Sequence, residues 1–101
     1  LLGTDEDVAS LPREATLGQN YPNPFNPSTT IEYQLLRSEN VSLKLFDLLG
    51  KEVATIVEGR QQAGYHSARF DSSDLSLSSG IYFYRLTGSD FSITKSMLLL
   101  R

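Results

Sequence analysis

The chain has 101 residues, 40% hydrophobic and 21% charged, enough for one globular domain and too short for two. Its net charge of −3 arises wholly within residues 1–16, where Asp5, Glu6, Asp7 and Glu14 outweigh Arg13; from Leu17 onward eight acids balance eight bases. A neutral domain has no field to gather phosphate backbones, which argues against nucleic acid; the absence of cysteine excludes disulfides and thiolate metal sites; and no apolar run nears the roughly 20 residues of a membrane-spanning helix.

Residues 1–14 are acidic, small and polar, and read as a linker from an upstream cargo or catalytic domain, with the folded domain at 15–101. The chain opens on Leu1 with no signal-peptide pattern, so it reads as a piece of a longer polypeptide whose export signal lies upstream. A short first strand is expected near Ala15–Asn20. Tyr21, Pro22, Asn23, Pro24, Phe25, Asn26 and Pro27 then form a segment that is neither helix nor central strand. Each proline fixes φ, removes a backbone donor and extends the residue before it. It is expected to lie along a sheet edge and block further pairing, with Tyr21 and Phe25 turned into the core.

The strands that follow alternate with a period of two. Over Thr30–Leu36, Ile31, Tyr33 and Leu35 share a face. Over Val41–Asp47, Val41, Leu43 and Leu45 do, and Phe46 falls on the wrong side. Asp47-Leu48-Leu49-Gly50 is a hairpin signal, with Gly50 placed for a positive φ. Lys51–Glu58 returns with Val53, Thr55 and Val57 on one face, blurred by Ala54 and Ile56, and Gly59 is expected to end it. His66, Ala68 and Phe70 alternate over Tyr65–Phe70. A serine-rich connection leads to Gly80. In Ile81–Thr87, Tyr82, Tyr84 and Leu86 share the inner face, and Phe83 points the other way. Gly88-Ser89-Asp90 turns the chain into Phe91–Leu100. Short strands with turn signals every 8–12 residues or so predict an all-β sandwich or barrel.

Four pieces of this sequence carry a family resemblance. Leu17-Gly18-Gln19-Asn20-Tyr21-Pro22-Asn23-Pro24-Phe25-Asn26-Pro27-Ser28-Thr29-Thr30-Ile31 resembles the opening of the C-terminal sorting domains of the bacterial type IX secretion system. Val41–Asp47 with Leu48-Leu49-Gly50-Lys51-Glu52-Val53 resembles their second motif, Gly80–Leu86 their third, and Lys95–Arg101 their last. The family often has paired lysines in that last motif, where this chain has Lys95 followed by Ser96. The proline motif also opens domains related to the immunoglobulin-like part of flagellar hook-capping proteins. The resemblance implies an immunoglobulin-like sandwich of about seven antiparallel strands, without catalysis or cofactor. Such a domain is recognised by outer-membrane secretion machinery, and a sortase-like protease often removes it as the cargo is fixed to the cell surface. The runner-up is a structural or carbohydrate-binding accessory domain of a secreted hydrolase.

Residues that invite sharper readings have plainer ones beside them. His66 lacks a constellation for catalysis and reads as structural. Asp71 and Asp74 have too few carboxylates around them for calcium. Asn40-Val41-Ser42 fits the glycosylation sequon, a coincidence if the source is bacterial, as the resemblance implies. Tyr82 and Tyr84 read as core, with one hydroxyl tied to a loop carbonyl. Phe46 and Phe83 either form an exposed contact patch or pack beneath a loop. Partner recognition is assigned to Lys95, Met97, Leu98, Leu99, Leu100 and Arg101, because both faces of that stretch are apolar. Strand addition or a groove for the leucines would use it, whereas a central strand buried on both sides would explain the same pattern. Pairing of two copies through an edge strand stays open.

Overall fold

The computed structural model describes residues 14–101; most of the acidic linker therefore lies outside the described residues. Seven strands follow one another: β1 (Thr16–Leu17), β2 (Ser28–Leu35), β3 (Glu39–Phe46), β4 (Glu52–Gln61), β5 (Gly64–Asp71), β6 (Gly80–Thr87) and β7 (Ser92–Leu99). They form two antiparallel sheets, ordered β1-β2-β5 and β4-β3-β6-β7. The expected immunoglobulin-like sandwich is what the chain adopts.

Period-two alternation sets the core. Ile31, Tyr33 and Leu35 from β2 meet Val41, Leu43 and Leu45 from β3 and Tyr82, Tyr84 and Leu86 from β6, all buried. Each fully buried aliphatic or aromatic side chain contributes about 1.5–3 kcal/mol. Tyrosine hydroxyls reaching this depth need partners. Tyr82 donates to the Ser78 carbonyl at 2.7 Å, and Tyr84 donates to the Gly18 carbonyl at 2.7 Å while accepting from the Asn20 N–H at 2.9 Å. The tyrosine tied to a loop carbonyl is thus present twice.

The β3–β4 turn is built as its sequence suggests. Gly50 takes φ +85°, and the Asp47 carboxylate accepts the N–H groups of Leu49 and Lys51, both at 2.9 Å. β4 departs from the expected pattern. Its register against β3 slips between Leu43 and Lys44 and again between Leu45 and Phe46. Each slip inserts a residue and re-aims the next side chain. Val53, Ala54, Ile56 and Val57 all pack partly against the core, and Thr55 is exposed, so Val53, Thr55 and Val57 do not share one face. Gly59 does not end the strand either: it sits within β4 opposite Val41 at φ +131°, and pairing continues to Gln61.

Candidate functional site

β7 is paired with β6 along its whole length and forms one edge of the four-stranded sheet. Its register fixes which side chains are available. Met97 faces Tyr82 and Leu99 faces Gly80 on the inner side, and both leucine and methionine side chains are buried in the core. Leu98 lies beside Ile81 on the outer face, half-buried, and Leu100 is 51% exposed. Lys95 has inner parity opposite Tyr84 but stands at the sheet edge, where with Gln19, Phe83, Thr94 and Ser96 it lines a shallow cavity of about 360 Å³. The stretch assigned to recognition is therefore divided by its own pleat. Neither a central strand nor a free edge describes it.

The edge beside it is sealed by the proline segment. Phe25 forms a parallel bridge with Leu99: its N–H donates to the Leu98 carbonyl at 3.0 Å, and its carbonyl accepts the Leu100 N–H at 3.1 Å. Side chains complete the edge. The Asn23 carboxamide oxygen accepts the Leu98 N–H at 3.0 Å, and Gln19 Nε2 donates to the Ser96 carbonyl at 2.7 Å. Backbone groups that would otherwise template another strand are thus satisfied within the chain. The Phe25 ring is buried edge-on against Phe70, with centroids 6.1 Å apart, and closes that end of the core. Tyr21 is a correction to expectation. It pairs with Thr30 through its backbone, but its side chain is 80% exposed rather than in the core. Pro22, Pro24, Asn26 and Pro27 are exposed as well.

Two buried polar residues hold this segment. Asn20 Nδ2 donates to Thr29 Oγ1 at 3.0 Å and to the Pro22 carbonyl at 3.1 Å, and its Oδ1 accepts from Gln19 Nε2 at 2.7 Å. Ser72 donates its N–H and its hydroxyl to the Pro27 carbonyl at 2.9 and 3.0 Å. The Ser72 carbonyl in turn accepts Arg101 Nη2 at 2.7 Å. The same nitrogen donates to the Leu75 carbonyl at 3.0 Å, and the Arg101 N–H reaches Ser79 Oγ at 2.7 Å. Proline segment, serine-rich loop and final residue form one connected unit. The sequence reading places Arg101 in the recognition stretch, and nothing in the sequence announces its bonds to residues more than twenty positions away.

On the outer face, Phe46 and Phe83 are cross-strand partners, and Ile81 and Leu98 extend the same surface toward β7. Phe46 and Phe83 are both half-buried, and the Arg85 guanidinium lies 4.8 Å from the centroid of Phe46. Exposed Leu48 and Leu49 adjoin Ile81 across a depression of about 200 Å³ that also includes Ser78, Ser79 and Gly80, the last at φ +150°. An apolar strip with a cationic border can hold a protein surface.

The remaining polar candidates are used structurally. His66 stacks on Tyr33 at 5.1 Å, and its Nε2 lies 2.6 Å from the Gln62 carbonyl. The Ser73 hydroxyl and then the Ser73 N–H, the latter 2.8 Å from the carboxylate, hold the Asp71 pKa below the usual carboxylate value, and Arg69 at 3.7 Å adds to them. Among the described residues no group of three His, Asp or Glu side chains is arranged to hold a metal ion. Sequence reasoning passed over Glu39, a buried carboxylate that accepts the Ser89 N–H at 2.8 Å and the Ser89 hydroxyl at 2.7 Å and so fixes the β6–β7 turn.

The family model described as the secretion system C-terminal sorting domain matches residues 19–99. Comparison with curated proteins gives no match.

Proposed function

The chain belongs to the family of type IX secretion C-terminal sorting domains, and from that membership we propose that it is read by the outer-membrane secretion machinery through the outer face of its four-stranded sheet. A domain of this family marks an exported protein bound for the cell surface or the medium. The observation that carries the choice of surface is the division of β7: Leu98 and Leu100 face outward with Ile81 and Phe83, whereas Met97 and Leu99 are spent on the core. Strand addition at Ser96–Leu100 would first have to displace Phe25, so a partner reads side chains on the face.

In this reading residues 1–14 are the tether and 15–101 the sorting module. The protein passes through the periplasm, and a sortase-like protease then cuts in the tether. The reading is tested by placing residues 15–101 behind a signal-peptide-bearing fluorescent protein. The fusion is expressed in a host with an intact type IX system and in a matched strain lacking the translocon. Fluorescence at the surface or in the medium of the intact strain alone is expected. Periplasmic retention in both, where a native sorting domain passes, would overturn it. Cleavage is read by carrying the tether in the fusion and weighing the exported product; an uncut product at the cell surface would refute that step. An accessory glycan-binding role would use the same outward Phe83, and binding to a glycan panel without translocon dependence would favour it.

A further inference from the structure

β5 is the open edge of the three-stranded sheet, and its hydrogen-bonding direction can be read residue by residue. Thr30 exchanges backbone bonds with Tyr21, and the Glu32 carbonyl accepts the Gly18 N–H, so the even residues of β2 point toward β1. The odd residues therefore point toward β5. The β2–β5 register runs without a slip through Thr29↔Phe70, Ile31↔Ala68 and Tyr33↔His66. Alternation then sends the N–H and C=O groups of Tyr65, Ser67 and Arg69 outward, away from β2. Among the described residues none of these groups has a backbone partner outside the sheet. The other edges are treated differently: β1 is only 2 residues long, β7 is sealed near its end by Phe25, and β4 carries two register slips. A straight, unbulged, proline-free edge is the arrangement that accepts another strand.

We propose that β5 pairs antiparallel with β5 of a second copy of this chain about a two-fold axis at Ser67, joining two three-stranded sheets into one of six. The sequence chooses both the occupant and the register. Centring on Ser67 places Ser67 opposite its own copy and Tyr65 opposite Arg69, so each outward-pointing residue meets another and all their N–H and C=O groups are exchanged. It also sets the exposed Tyr65 ring against a guanidinium. Centring on Arg69 would oppose two like charges, which cross-strand pairs disfavour. The interface is small, below the roughly 1,200 Å² of stable complexes, so association is weak and concentration-dependent. This pairing is independent of the secretion reading, and leaves the outer face of the other sheet free.

The test is sedimentation equilibrium of the full chain over a wide concentration range. The apparent mass is expected to rise from 11.2 kDa toward about twice that value. Ser67→Lys, at an exposed site, sets two ammonium groups across the axis and is expected to keep the mass at the monomer value. Ser67→Cys supplies a positive readout in a protein without cysteine. Paired Cα atoms in such a ladder lie about 5.5 Å apart, inside the range a disulfide spans. Mild oxidation is therefore expected to give a covalent dimer, and Tyr65→Cys, whose counterpart is Arg69, far less. A chain that stays monomeric at every concentration, leaving the edge to a different protein's strand, would overturn the proposal. Association that survives Ser67→Lys, or equal cross-linking of the two cysteine variants, would overturn it too.

Discussion

Phe25 lies along Leu99 in a parallel bridge, its N–H on the carbonyl before that leucine and its carbonyl on the N–H after it. A residue from the start of the domain thereby closes the edge of its last strand, and its ring closes the core beneath. Local sequence and long-range architecture meet in this contact. Proline on both sides of Phe25 keeps the segment extended yet unable to pair for more than one residue.

Phe25→Ala is expected to destabilise the domain by about 3–5 kcal/mol, the usual range for truncating a buried phenylalanine. Denaturant unfolding checks it: the midpoint falls with the slope unchanged. Tyr21→Ala, which removes an exposed ring from the same segment, is expected to change the midpoint little.

Tyr84→Phe removes one hydroxyl and leaves two backbone groups, the buried Asn20 N–H and the half-buried Gly18 carbonyl, without their partner. Unsatisfied buried groups cost about 1–3 kcal/mol each. Tyr82→Phe releases only the Ser78 carbonyl, close to solvent. The ordering expected in equilibrium unfolding is a clearly larger loss for Tyr84→Phe than for Tyr82→Phe.

Glu39 has a pKa below its usual value, because the Ser89 backbone N–H and then the Ser89 hydroxyl bond to its ionised form. A depressed folded-state pKa means stability that is full above the unfolded-state value and lost as pH falls through the folded-state value. Glu39→Gln is expected to lower the melting temperature at neutral pH and to flatten its fall under acid conditions. Equal acid slopes for the two proteins would show that the carboxylate contributes nothing.

Gly88 has no room for a side chain: a Cβ there would come 2.2 Å from the Phe91 ring and 2.9 Å from Glu39 Oε1. Gly88→Ala is expected to cost about 1–3 kcal/mol as the ring is displaced. Thermal melts of this variant, of Glu39→Gln and of the double variant would show by their non-additivity whether the two changes act on the same turn.

The sheets were legible wherever the pleat alone decides burial. Ile31, Tyr33 and Leu35, or Tyr82, Tyr84 and Leu86, declare their face by a period of two. β4 was not, since two bulges shift its parity and make Val53 and Ile56 both core-facing. Tyr21 and Phe25 could not be told apart either, because a proline-rich segment has no alternation to follow. Within the site, the outward Leu98 follows from the pleat. The sealing of its edge and the Arg101–Ser72 bond depend on side chains meeting backbone across the fold, which leaves no local signature.

The division of β7 also changes how export is to be tested. Removing Lys95–Arg101 strips Met97 and Leu99 from the core and breaks the Arg101 clamp, so loss of export would follow from unfolding alone. The more direct measurement is translocon-dependent export of the fluorescent fusion carrying Leu98→Glu with Leu100→Glu. Its melting curve first establishes that the domain is folded. Retention of this folded variant in the periplasm, with the unsubstituted fusion exported, is the predicted result. Export at the unsubstituted level would contradict the assignment of the outer face as the surface that the machinery reads.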